Sequence, residues 1–358
     1  IQLFYFWENY FNNNNVKAVI ISHSVYFLGM FARIAIKKKI KVYVCHPDYV
    51  NCLNKKIPYA RAEFLNAKSI LKNIDKKVLN KGLKYAKKKI SNHIAGKKID
   101  IWWTKKSTFL EKKKYRVLNI NKKFKYLIAS HSFEDSPHAY GNNLFPDNYL
   151  WLDYIGKNTI NSKHEYYIKP HPALHDFEKK NNKKILKDFV KKYPHIILLP
   201  ENIGHFQLIK EGIKCVLTVI GTIGFEYPLF NIPVINASKK SATSKFNFNI
   251  HVDNINYYKS LILEPKKIKL NINQNEILKY YFLRHIYHPR NWLFKNIQYA
   301  EKKYGSYSHE IYNYWIKNEH SAKRDEKILK NLEKFINSND YILDYKYMDR
   351  KIFDDMKN

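Results

Sequence analysis

Residues 215–238 read CVLTVIGTIGFEYPLFNIPVINAS. The run CVLTVI (215–220) is apolar without alternation, as in a strand covered on both faces. Gly221, Thr222 and Gly224 follow at once and open a short helix, and IPVINA (232–237) begins a second strand of the same kind. Strand, short helix and strand in so few residues call for a parallel pair.

The rhythm extends upstream. KYLIAS (125–130), YYIK (166–169) and HIILLP (195–200) are further strand candidates. Between them, Ile185, Leu186, Phe189 and Val190 have the spacing of one buried helical face, and Phe206 with Ile209 marks a shorter one. The region 124–238 is therefore expected to be α/β, with a parallel sheet between helices. Residues 17–22 and 41–46 are strand-like too, separated by a helix carrying Phe27, Met30, Phe31 and Ile34. A lysine-rich helical stretch runs from about residue 61 to 94, the charged segment 111–123 shows no apolar period, and the chain is helical and aromatic after about residue 273. NNNN (12–15) is the one low-complexity run, and there is no internal repeat. Two α/β halves are expected, 1–118 and 119–272, with a helical tail over 273–358 that packs back on the first half.

The chain has 358 residues, 45% hydrophobic and 16% aromatic, which is enough for two cores. It begins at Ile1 and not at methionine, which leaves open whether a segment precedes it. No run reaches the ~18–20 apolar residues that cross a bilayer. Cys45, Cys52 and Cys215 have no metal-ligand spacing and fit a reduced, cytoplasmic protein. The net charge of +33 sets 57 lysines and seven arginines, spread over the whole length, against 31 acidic residues. That dispersal, without a helix-turn-helix, zinc-finger or RNP pattern, argues against nucleic acid as partner. Anionic substrates and the anionic inner face of a membrane, with the protein held peripherally, are the partners such a field favours.

Ligands of open parallel sheets bind beyond the carboxyl ends of the strands, so the residues just after each strand carry the candidate chemistry. In YYIKPHPALHD (166–176), Pro170 and Pro172 hold His171 and Lys169 at a strand exit, where they can meet a phosphate. Around Gly221, Thr222 and Gly224, small residues and a helix start favour an anion, and Glu226 can accept from ribose hydroxyls. HSFEDSPHAYGNNLF (131–145) packs His131, Glu134, Asp135 and His138 together. Asp135 can serve as nucleophile or general base, with the two histidines orienting it or assisting the leaving group. A bland role as a turn cap is the alternative for Asp135. No D-x-D metal motif occurs, so neither metal nor cofactor is expected.

HSFEDSPHAYGNNLF, YIKPHP, LLPENIGHFQLI and LTVIGTIGFEYPLFNIPVINAS, in this order, resemble the capsule and surface-polysaccharide glycosyltransferases of GT-B fold. Within that group the chain is similar to bacterial Kdo transferases and more distantly to CMP-sialic acid transferases, over residues 124–238. The resemblance implies two Rossmann-like domains facing a cleft, the N-terminal one for the acceptor. It implies that His171 and Pro172, with Lys169 nearby, contact the phosphate of a CMP-linked sugar. Gly221, Thr222, Gly224, Glu226 and His205 would complete the donor site, and Asp135 would be the catalytic carboxylate. The family often has serine where Gly221 stands. The expected activity is metal-independent transfer of Kdo or a related acidic sugar onto a surface glycan or glycolipid anchor. A CDP-polyol phosphotransferase of teichoic-acid type is a second enzymatic reading. A basic RNA- or membrane-binding protein on a degenerate GT-B scaffold is a third, of another class.

Overall fold

The computed structural model describes residues 1–46, 49–97, 108–136, 138–141, 143–171, 176–288, 292–294, 297–304 and 308–348. The chain divides into two compact units, Ile1–Tyr85 with Tyr281–Asn358, and Ala86–Tyr280. Both are α/β, the class expected.

In the first unit, β1 (Ala18–Ile21) pairs parallel with β2 (Lys41–His46), and helix Tyr26–Lys37 makes the crossover. Strand β3 (Tyr49–Leu53) adds antiparallel to β2. Alternation along β2 sends Val42 and Val44 to one face, with Ala32, Ala35 and Phe11, and Tyr43 to the other, with Phe335, Leu343 and Trp292. The C-terminal helical residues thus cover a sheet built from the start of the chain. On helix Tyr26–Lys37 the buried residues are Gly29, Ala32, Ile34 and Ala35, while Phe27 is exposed. The lysine-rich stretch is broken into Glu63–Asn66, Ala67–Asn73 and Lys76–Ile94, and Asp75 Oδ1 accepts from the Lys77 and Val78 amides where the last begins.

The second unit holds six parallel strands, β4 (Lys125–Ala129), β5 (Glu165–Lys169), β6 (Ile196–Leu198), β7 (Cys215–Thr218), β8 (Val234–Asn236) and β9 (Ile250–His251). Their order, β6-β5-β4-β7-β8-β9, is that of a doubly wound Rossmann-type sheet and reverses direction between β4 and β7. Tyr126, Tyr166 and Ile168 face a core with Trp151, Leu186, Phe189 and Tyr258. Leu127, Tyr167, Val216 and Val234 face the other, with Leu208 and Tyr227. The buried tyrosines keep their hydroxyls satisfied: Tyr126 donates to Leu261 O, Tyr166 to Ile262 O, and Tyr258 accepts from Trp151 Nε1.

Segment 111–123 belongs to this second unit. Glu211 Oε2 accepts from the Val117 and Leu118 amides, Gln207 Oε1 accepts from the Lys113 amide, and Arg116 donates to Glu211 O. The second unit, Ala86–Tyr280, accordingly takes in this segment. It also corrects the expected face of helix His205–Glu211: its buried residues are His205, Leu208 and Glu211, while Phe206 is partly exposed against Phe109 and Phe230.

Candidate functional site

The loops leaving β4, β5 and β7 are tied together at the carboxyl edge of the six-stranded sheet. Ser130, the first residue after β4, donates through N–H and Oγ to Lys169 O at the end of β5. Across the reversal, the Val219 amide donates to His131 Nε2 at 3.2 Å, and Thr218 Oγ1 lies 3.0 Å from the same nitrogen. A backbone N–H can only donate, so Nε2 carries no proton and the ring proton sits on Nδ1. Burial, aided by the charge of His171, pushes the His131 pKa down to about 3. His131 is thus a neutral crosslink between two loops, and a proton donor only where the network breaks.

Gly221 fits the same geometry. A Cβ there would lie 2.8 Å from Thr218 Oγ1 and 3.4 Å from His131 Cε1. A serine at this position would push against the Thr218–His131 contact. The helix that follows is short, Ile223–Glu226 and then a 3₁₀ turn Tyr227–Phe230. The Gly224 amide donates to Gly221 O and the Phe225 amide to Thr222 O. Thr222 is exposed, whereas Gly224 is buried, its carbonyl accepting from Asn249 Nδ2.

Lys169, Glu226 and His205 form a second group, enclosed on the face of Tyr167. Strand alternation sends Tyr167 and Lys169 to the same side, and Lys169 is only 4% exposed. Its Nζ donates to Glu201 O at 3.3 Å. Burial pushes the Lys169 pKa down to about 8, against the opposing pull of Glu226, Glu201 and Glu111. Glu226 Oε1 is 3.2 Å from His93 Nε2, and its Oε2 is 4.0 Å from His205 Nε2. His205 Nδ1 meets Tyr227 OH at 3.0 Å, and burial, with the charges of Lys169 and His93, holds His205 well below the usual histidine range. With Glu226 and His205 each 4% exposed, the group faces inward and braces the ends of β5 and β7.

His171, by contrast, lines an open pocket of about 250 Å³. Ser130, Leu198 and Leu199 contribute from strand ends, and Lys179, Leu186, Lys183 and Lys187 from helix Asp176–Lys192. Pro172 lies outside the described residues. Asp135 stands exposed on the loop after β4, its Oδ1 accepting from the Ser136 amide. That loop is pinned to helix Asp176–Lys192, because Phe133 N donates to Asn182 Oδ1 and Asn181 Nδ2 to Glu134 Oε1. His138 closes its own turn, with ring nitrogens 3.3 Å from Gly141 O and 2.7 Å from Pro146 O.

Of the expected residues, then, His131, His171 and Gly221 stand close together. Lys169, Glu226 and His205 lie behind them, Asp135 and Thr222 occupy exposed positions on two of the loops, and His138 bonds within its own loop. Thr218, His93, Lys183 and Lys187 were not singled out by sequence. Thr218 ends a strand and His93 lies over a hundred residues from Glu226, so neither shows a local pattern. The four-residue spacing of Lys179, Lys183 and Lys187 was the available signal, hidden among 57 lysines.

Among the described residues no group of three or more His, Cys, Asp or Glu could hold a metal, and no helix is long and apolar enough to cross a membrane.

No family model and no curated protein matches the sequence. Among solved structures the chain is similar to the UDP-GlcNAc 2-epimerase of Methanocaldococcus jannaschii in complex with UDP-GlcNAc and UDP, at 15% identity over 77% of each chain and a TM-score of 0.33. It is similar to KpsC of Thermosulfurimonas dismutans, a beta Kdo 2,4 transferase, at 11% identity over 74% of this chain and 78% of that one, with a TM-score of 0.40. It is also similar to the UDP-GlcNAc 2-epimerase of Neisseria meningitidis bound to UDP-GlcNAc, at 13% identity over 78% of each chain and a TM-score of 0.32. At these identities and scores the likeness carries no function across.

Proposed function

We propose that the chain is a glycosyltransferase that binds a nucleotide sugar at the carboxyl edge of its six-stranded sheet and moves the sugar onto a surface glycan or its lipid anchor. A CMP-linked acidic sugar such as Kdo is the donor we favour. The observation that carries this reading is the joining of the loops after β4, β5 and β7 at the strand-order reversal, where nucleotides bind in sheets of this type.

The chemistry follows from the placements. The leaving phosphate gains negative charge as the glycosidic bond breaks, and His171 stands at the strand exit to meet it. Asp135, exposed on the neighbouring loop, is free of burial and accessible to an acceptor hydroxyl, so it can take that proton or attack the anomeric carbon. Neutral His131 keeps the loop carrying Asp135 in register with β7. The enclosed Lys169–Glu226–His93 group fixes the backbone that presents His171.

CMP release from CMP-Kdo, with a glycan acceptor, tests the proposal. Asp135→Asn is expected to lower kcat by about 10²–10⁴-fold while CMP affinity stays within twofold. Full activity in that variant would remove the assignment.

A further inference from the structure

The pocket beside His171 has a composition that the nucleotide alone does not explain. Its floor is Leu186, Leu198 and Leu199, its rim is cationic, and its volume of about 250 Å³ falls below the roughly 300–1,000 Å³ of sites that take drug-sized ligands whole. One ring fits, not an entire nucleotide sugar. Among its described lining residues none is Phe, Tyr or Trp, the side chains on which a nucleobase stacks.

The charges are also unevenly matched. Lys179 Nζ pairs with Glu201 Oε1 at 2.7 Å. Among the described residues Lys183 and Lys187 have no carboxylate within ion-pair distance. They stand four residues apart on one helix, where like charges face and repel each other, a cost that an anion held between them relieves. Both lysines line the cavity and are exposed, so an anion would be met at the mouth and its ring seated on the leucines.

We infer that this pocket binds a carboxylated monosaccharide ring, with the carboxylate against Lys183 and Lys187. The inference deepens the proposed function and rests on it for the identity of the ring's source: the donor's sugar or the acidic terminal unit of the acceptor.

Calorimetric titrations of the full chain with free Kdo, with a neutral hexose, with inorganic phosphate, with CMP and with CMP-Kdo test it. Kdo is expected to bind and the hexose not, and Lys183→Glu/Lys187→Glu is expected to weaken Kdo at least tenfold while leaving CMP within twofold. The control Lys180→Glu/Lys184→Glu carries the same charge change on exposed lysines outside the pocket and is expected to bind like the parent. Loss of CMP-Kdo affinity relative to CMP in the pocket variant assigns the ring to the donor. Unchanged CMP-Kdo affinity with weakened free Kdo assigns it to the acceptor. Equal losses in both charge variants, equal binding of the neutral hexose, or phosphate binding with no Kdo binding would each overturn the inference. Kdo binding without any CMP binding would leave the pocket standing and remove the proposed function; CMP binding without Kdo binding would do the reverse.

Discussion

His131 behaves unlike a catalytic histidine, and its surroundings say why. A ring nitrogen that accepts a backbone N–H has no room for a proton, so protonation must break the link between the β4 and β7 loops. The folded pKa, about 3, lies below the value near 6.5 expected for an unfolded chain. The unfolded state therefore binds the extra proton as pH falls below about 6.5, and stability is lost on that side; above it the contribution is complete. The limiting slope for one such group is about 1.4 kcal/mol per pH unit. His131→Gln is expected to flatten the acid limb of a stability-versus-pH curve from urea denaturation between about pH 6.5 and 4. A variant curve parallel to that of the parent would show that His131 is not held neutral. None of this was legible from HSFED, which suggested acid–base work; the restraint comes from Val219, 88 residues away.

At the scale of elements, the runs rich in β-branched and aromatic residues announced themselves. Those at 125–130, 195–200, 215–220 and 232–237 contain β4, β6, β7 and β8, with ends trimmed by a residue or two, and β5 begins one residue ahead of the run 166–169. Strands β3 and β9 did not, because YVNCL and the two-residue IH acquire strand structure from the partners beside them. The contacts that hold the C-terminal helices were equally silent in local sequence. They include pairs such as Glu63 and Arg284, 221 residues apart, whose Oε1 and Nη1 lie 2.9 Å from each other. Burial alone would raise the Glu63 pKa, but the guanidinium of Arg284 overcomes it and holds the carboxyl well below the usual range. With Glu63 1% exposed, Glu63→Ala takes from Arg284 the Glu63 carboxylate and is expected to cost about 3–5 kcal/mol in chemical denaturation. Glu63→Ala/Arg284→Ala should recover part of that loss, and a loss below about 1 kcal/mol in the single variant would show that the pair holds nothing together.

For the whole molecule, the +33 charge is a background against which specific sites are hard to see. A diffuse field draws any anion, and it weakens with salt. A built site differs because it depends on one imidazole at one strand exit more than on the total charge. In the proposed function the loops after β4, β5 and β7 hold a cytidine nucleotide through His171. Thermal unfolding of the full chain with and without CMP, for the parent and His171→Ala at 150 mM salt, measures this. At 100 times its dissociation constant CMP is expected to stabilise the parent by about 2.7 kcal/mol, seen as a rise of several degrees, and to leave His171→Ala unmoved. No rise in the parent at millimolar CMP, or the same rise in both proteins, would contradict it.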